Sequence, residues 1–185
     1  CFPSEIAEAV RAVKAAISCP VGVHAHDDTG CGVANSVEAV LAGAEHVQGT
    51  LVGYGERCGN ANLSAIIPDL QLKCGVACVA GDLKNLTEIA RRVAEISNVR
   101  LNRGMPYVGK SAFTHKAGMH IDGVNKSSRS FEHVSPEEVG NERRFLMSEV
   151  AGRSTVLGKI QKVDPSVKKD DPVTAKIIEK IKEME

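Results

Sequence analysis

Two apolar periods alternate along the first 80 residues, and this alternation constrains the fold more than any single motif. Ile6, Val10, Val13 and Ile17 recur at the spacing of one helix face, with Ser4 ahead of them as a cap and Pro20 as the stop. Val21 to His26 then reads as a short strand and Val33 to Ala44 as a helix with Val37, Val40, Leu41 and Ala44 inward. His46 to Val52 reads as a second strand. The turn "GYGERCGN" leads into a third helix with Leu63, Ile66, Ile67 and Leu70 on one face. A helix between two strands, with short loops on either side, makes those strands parallel neighbours in an α/β fold. Two parallel strands cannot bury both of their faces. Further strands are therefore expected from upstream sequence, and the chain, which opens on a helix without an initiator Met, is expected to be a piece of a longer one.

That rhythm is lost in the second half. Leu83 to Ser97 is periodic as a helix, with Leu86, Ile89, Val93 and Ile96 in register. A polar, glycine-containing stretch follows, "PYVGKSAFTHKAGMHIDGVNKSSRSFEHVSPEEVG". Inside it, Ser135-Pro136-Glu137-Glu138 offers an N-cap, a proline at the first helical position and a capping-box glutamate. Asp171-Pro172 opens a last helix with Val173, Ile177, Ile181 and Met184 on one side, and "KVDPSVKKDDP" before it is the best candidate hinge. Three segments are expected: 1–80, 81–165 and 166–185.

Composition removes several classes of partner. Lys plus Arg and Asp plus Glu both number 23, so no global field draws the chain to nucleic acid or an anionic membrane. Aromatics are 3% with no Trp, which argues against base-stacking platforms and lipid-interface anchors. No apolar run approaches the ~18 residues of a membrane span, and the start "CFPSEIAEAV" lacks the basic and apolar regions of a signal peptide. Six cysteines lie at irregular spacings; Cys74 and Cys78 form a CxxxC without the second pair a zinc site needs. Reduced thiols in a cytoplasmic chain are the expectation.

The stretch "VGVHAHDDTG" carries the chemistry. Alternate residues of a strand share a face, so His24 and His26 project together with Gly22, while Val21, Val23 and Ala25 face the other layer. The two imidazoles start about 7 Å apart along the strand and can converge on one ion at its end. A hydrogen-bonded pair at a sheet rim is the alternative. Their place at the C-terminal end of a parallel strand, beside Asp27, Asp28 and Gly30, is where α/β sheets and barrels put their ligands. In the next loop Gly53, Gly55 and Gly59 permit tight backbone, and Glu56, Arg57 and Asn60 supply polar groups. No Gly-Lys-Ser/Thr opens the following helix, so this is no phosphate loop. An ordinary βα loop remains the alternative, although one shared site best explains two adjacent polar strand ends.

With those residues in place, "HAHDDTGCGVANSVEAVLAGAEHVQGTLVGYGERCGNANL" resembles the second signature of the metal-dependent acyl-CoA lyase and synthase superfamily, the group of isopropylmalate, citramalate and homocitrate synthases. The likeness continues through "VGKSAFTHKAGMHIDGVNKSSRSFEHVSPEEVGNERRFLMSEVAGRSTVL", which resembles the region after the barrel in those synthases. The wording "YGERCGNANL" is most similar to the citramalate branch, with the isopropylmalate branch second and the homocitrate branch a further alternative. The resemblance implies the C-terminal portion of a (β/α)8 TIM barrel, its last βα units in 1–80, followed by a small, mostly helical subdomain in 81–165 and a terminal helix in 166–185.

By the same resemblance, His24 and His26 match paired metal-ligand histidines and Asn60 matches an Asn at or near the metal. The remaining ligand, an Asp, would lie upstream of this chain. His120 matches a histidine of the post-barrel region that reaches a catalytic site, in several synthases that of the partner subunit of a homodimer. The implied cofactor is a divalent cation (Mn, Zn, Co or Mg), and the implied substrates are acetyl-CoA and a 2-oxo acid, pyruvate first. Two departures stand out. His26-Asp27-Asp28 replaces His-Asn-Asp, adding negative charge beside the metal, and Phe131 stands where the synthases show a Tyr. Cys58 is expected to be a small packing residue. The competing expectations are the lyase direction, which the post-barrel match disfavours, and a non-catalytic chain, since these residues alone hold an incomplete ligand set and are expected to be inactive by themselves.

Overall fold

A computed structural model describes residues 1–116, 118–146, 157, 160–161, 164–168 and 171–183. The chain forms two compact units, residues 1–112 with 137–141 and residues 113–136 with 142–185.

The first unit has the expected alternation: α1 (Pro3–Ala16), β1 (Gly22–His24), α2 (Gly32–Leu41), β2 (His46–Gln48), α3 (Leu63–Pro68) and α4 (Leu86–Ile96). β1 and β2 are parallel, with Gly22 opposite His46, Val23 opposite Val47 and His24 opposite Gln48. The unit is therefore α/β. One face of the strand pair packs on helices: Val23 joins Val10, Ala39 and Ala44, while Ala25 and Val47 join Ala61, Ile66 and Leu70. On the other face Gly22, His24, His46 and Gln48 are exposed.

Local chemistry moves several boundaries. Ser4 does not cap α1; Pro3 takes the first turn, where its missing N–H costs nothing, and the Phe2 N–H donates to Glu5 Oε2 at 2.6 Å. The helix ends at Ala16, leaving Ile17 outside it and exposed along with Val13. Leu41, expected inward, is exposed too. β2 is shorter than expected because a 3-10 turn, Leu51–Gly53, follows at once. There Val52 adopts φ 60°, strained for a β-branched residue, and its buried N–H donates to Ser64 Oγ at 3.0 Å. In α3, Pro68 cannot donate to the helix ladder, and Asp69–Lys73 winds on as a π turn, with the Cys74 N–H reaching Asp69 O at 3.0 Å.

α4 buries Leu86 of the expected stripe, together with Thr87, Ala90 and Ala94; Val93 is half-buried, Ile89 is exposed and Ile96 is 86% exposed. Thr87 Oγ1 donates to Val139 O at 2.6 Å, and Asn141 Nδ2 donates to Tyr107 O and Gly109 O at 2.7 and 3.0 Å. These bonds hold residues 137–141 in the first unit. The helix expected from Ser135 is only a 3-10 turn, Pro136–Val139. Gly140 ends it with φ +67°, and a side chain there would collide with the Lys84 carbonyl.

The second unit holds three elements that the sequence pattern concealed. β3 (Thr114–His115) pairs in parallel with β4 (Arg144–Phe145), and α5 spans Gly118–Lys126. Phe113, Ile121 and Val124 are among its buried apolar residues. The last helix, α6 (Pro172–Glu183), starts as expected at Asp171-Pro172, while Met184 and residues 147–156 of the quoted resemblance lie outside the described residues. Among the described residues no helix is long and apolar enough to cross a membrane.

Candidate functional site

β1 stops at His24, and beyond it the chain turns so that His26 bridges Asn60 in antiparallel fashion, with the Ala61 N–H donating to Ala25 O at 2.9 Å. Two histidines that a flat strand would hold about 7 Å apart thereby bring their Nε2 atoms to 3.2 Å, ring centroids 5.1 Å apart. One such contact is satisfied by a shared N–H. It also matches two nitrogens on one cation: at ligand distances of about 2.1 Å, this separation subtends roughly 100° at the ion.

Asn60 meets the same place from the following loop. Its Nδ2 donates to Tyr54 O at 3.1 Å, which fixes the amide orientation and leaves Oδ1 buried with no hydrogen-bond partner. A buried acceptor without a donor is costly, and a cation is the partner its lone pairs suit. His26 Nδ1 is likewise buried without a partner; in metal sites the second ring nitrogen is normally held by a neighbouring acceptor. Among the described residues no group of three His, Cys, Asp or Glu side chains could hold a metal. Two imidazoles and an amide are thus a partial set whose donor chemistry fits a divalent ion.

The loops around the pair are tightly built. Asp27 Oδ1 accepts from the Gly32 N–H at 2.7 Å, at the positive N-terminus of α2, and the Asp27 N–H donates to Gly59 O at 2.9 Å. Asp28 takes a bidentate fork from Arg57, Nε to Oδ1 at 2.7 Å and Nη2 to Oδ2 at 3.0 Å. Those bonds hold the Asp28 carboxyl below the usual carboxylate range and Arg57 above its own ordinary value. The pairing was missed in the sequence, where "DD" and "ER" are its only signal. Cys58 is exposed rather than packed.

His120 and Phe131 belong to the second unit and meet there. His120 is exposed on α5, and its ring centroid lies 4.7 Å from that of Phe131, the planes tilted by 33°. The next residue, Glu132, was also missed. Its carboxylate receives Arg143 Nε on Oε1 at 2.7 Å and Arg143 Nη2 on Oε2 at 2.5 Å, with His115 Nε2 3.0 Å from Oε1. Burial pushes this carboxyl upward, but the Arg143 and His115 hydrogen bonds outweigh it and hold it below its ordinary value.

Residues 1–93 match the HMGL-like family. The chain belongs to that family. Residues 107–185 match the family described as homocitrate synthase post-HMGL domain-like. The (R)-citramalate synthase of Aquifex aeolicus is 49% identical over 186 residues, covering 100% of this chain and 35% of its own length. That of Geobacter sulfurreducens is 46% identical over 185 residues, covering 100% and 35%. A homocitrate synthase of Methanopyrus kandleri is 33% identical over 181 residues, covering 98% and 45%. The chain therefore spans about a third of the length of the citramalate synthases it matches.

Proposed function

We propose that this HMGL-like chain is the end of the barrel and the post-barrel region of an enzyme that condenses acetyl-CoA with a 2-oxo acid, pyruvate giving citramalate. The observation that carries the proposal is the convergence of His24 and His26 Nε2 at 3.2 Å beside the unpartnered Asn60 Oδ1. Relatives 46–49% identical along this chain are named (R)-citramalate synthases, which supports pyruvate as the substrate. Residues 1–80 would then supply the last βα units of a (β/α)8 barrel, with the exposed Gly22, His24, His46 and Gln48 facing the missing strands.

His24, His26 and Asn60 would hold a divalent cation together with a group from upstream. Bound there, such an ion supplies Lewis acidity to the 2-oxo carbonyl. The chain's own residues do the rest of the work assigned to it. Tyr54 O keeps the Asn60 amide turned, Asp27 ties the start of α2 to the Gly59 loop, and Arg57 locks that loop to Asp28. His120 is proposed as the proton-transfer residue of the condensation and thioester hydrolysis, serving a partner subunit's site in a homodimer. Phe131 brings no hydroxyl to that step.

The test uses the full-length protein. Metal content should fall in the His24→Ala/His26→Ala variant and in Asn60→Ala; unchanged stoichiometry refutes the metal site. CoA release should be fastest with pyruvate, against 2-oxoisovalerate and 2-oxoglutarate. A preference for either of the others refutes the citramalate assignment while leaving the metal site standing. Mixing the His24→Ala and His120→Ala variants should restore activity once subunits exchange.

A further inference from the structure

Glu132 is the one charged residue that is buried among the described residues, its side chain 2% exposed. Burying a carboxylate costs stability unless every oxygen is paired, and even a well-paired buried ion cluster is often no more stabilising than apolar side chains of the same shape. A gain in positional precision is the better account of such a group here. The neighbours on either side of Glu132 make that specific. Phe131 lies on His120, while His133 stacks on Phe113 with centroids 6.2 Å apart and planes within 6°. Phe131 is 45% exposed, so burial does not hold its ring. Its backbone N–H and that of Glu132 both donate to Ser128 O, at 3.1 and 2.9 Å, and the Glu132 carboxylate anchors the segment to Arg143 and His115.

The other half of the contact is bare backbone. His120 and Gly123 are three apart on α5 and share a face. Phe131 lies across both, so close that a Cβ at Gly123 would overlap its Cε2 and sit 3.0 and 3.3 Å from Cδ2 and Cζ. The imidazole is thus confined on one side by a ring that is itself held through its neighbour.

We infer that Glu132, gripped by Arg143 and His115, is a positioning residue for His120: it fixes the Phe131 ring across Gly123 and thereby the orientation of the imidazole. The functional half of this inference rests on the proposed proton-transfer role of His120; the geometric half does not.

The experiment is ¹³C-histidine NMR of the full-length protein, with the His120 resonance assigned by its loss in His120→Gln. The ring current of Phe131 should displace that resonance, and Phe131→Leu should remove the displacement. Glu132→Gln should move the resonance towards the Phe131→Leu position. Turnover should then fall about 10- to 100-fold, the scale of a 1 Å misplacement, with KM for the 2-oxo acid and metal content unchanged. Gly123→Ala, which pushes an exposed ring rather than a packed one, should reproduce both effects. A His120 resonance unmoved in Glu132→Gln overturns the inference, as does a moved resonance with turnover intact while His120→Gln is inactive. If Glu132→Gln does not fold, Arg143→Lys keeps the ion pair but breaks the fork and is judged by the same shift. Should His120→Gln retain full turnover, the proton-transfer role fails, and the resonance alone then upholds or overturns the positioning.

Discussion

Replacing Gly59 by alanine should damage the full-length protein much more than replacing Gly30, and the difference follows from what surrounds each. Both glycines have positive φ, +99° and +70°, and both sit in the loops flanking the histidine pair. A Cβ at Gly30 meets nothing within 4 Å. Alanine there should cost only the left-handed backbone, about 1–2 kcal/mol. A Cβ at the buried Gly59 would overlap the Gly53 carbonyl oxygen, with the carbonyl carbon 3.3 Å away. Restoring ordinary contact moves the Gly53 backbone by about 1 Å, and overpacking of this kind adds about 1–3 kcal/mol. Gly59→Ala should therefore cost about 2–5 kcal/mol in all. Gly59 O also accepts the Asp27 N–H, and Asn60 is the next residue, so the displacement reaches the candidate ligands. Urea unfolding followed by circular dichroism measures the stability; Mn titration calorimetry should show weakened affinity in Gly59→Ala and wild-type affinity in Gly30→Ala. Equal stability losses, within about 0.5 kcal/mol, would refute the steric account.

Tyr107, whose hydroxyl donates to Asp69 Oδ1 at 2.5 Å, has its phenol pushed well above its ordinary pKa of 10.0 by burial and then by that bond. Because the folded value is raised, its contribution is full below pH 10.0 and lost as pH rises further; Tyr107→Phe should cost about 1.5–3 kcal/mol and show a flatter alkaline limb in urea unfolding. Glu132 has the opposite sign: its carboxyl lies below the ordinary 4.5, so its contribution is present above pH 4.5 and fades as pH falls through the folded value. Acid titration of stability should therefore be flatter below pH 4.5 in Glu132→Gln than in wild type, and parallel curves would remove that assignment. Thr87→Val keeps the shape but orphans the buried Val139 carbonyl, and should cost about 1–3 kcal/mol in the same urea measurement.

The first unit was legible because its signals are local periods. Helical spacing in α1, α2 and α3 and strand alternation around Val23 and Val47 each give one apolar face to bury against the helices, and short loops leave parallel pairing as the only simple arrangement. The errors fall where small residues or tertiary contacts decide. In α4 the stripe of large residues places Leu86 correctly but also includes Ile89 and Ile96, whereas the rest of the buried face is Thr87, Ala90 and Ala94; the two alanines allow closer approach and carry little weight in an apolar pattern. The Pro136–Val139 turn has every N-terminal helix signal and still ends after one turn, because Gly140 lies against Lys84 more than fifty residues away. Strands of two residues, as in β3 and β4, are shorter than any period can reveal.

At the candidate site the histidine pair was legible from period two, but the sequence could not assign partners among the polar residues around it. Two adjacent aspartates, with Glu56 and Asn60 of the next loop, are all plausible ligands by type alone. The fold distributes them by charge and reach. Asp27 goes to the N-terminus of α2, Asp28 to the Arg57 fork, and Glu56 is left 88% exposed. Of these four, Asn60 is the one that keeps a buried oxygen without a donor. On the proposed reading this chain would offer a cation two imidazoles and an amide as ligands, none of them anionic, with Asp27 and Asp28 engaged in other hydrogen bonds. A dication held by such a set keeps nearly its full charge, which strengthens its pull on a carbonyl oxygen and leaves neutralisation to anionic groups from elsewhere. On the proposed reading, an upstream Asp and the carboxylate of a 2-oxo acid would be anions of that kind, and a dication held mainly by uncharged ligands would favour an anionic substrate.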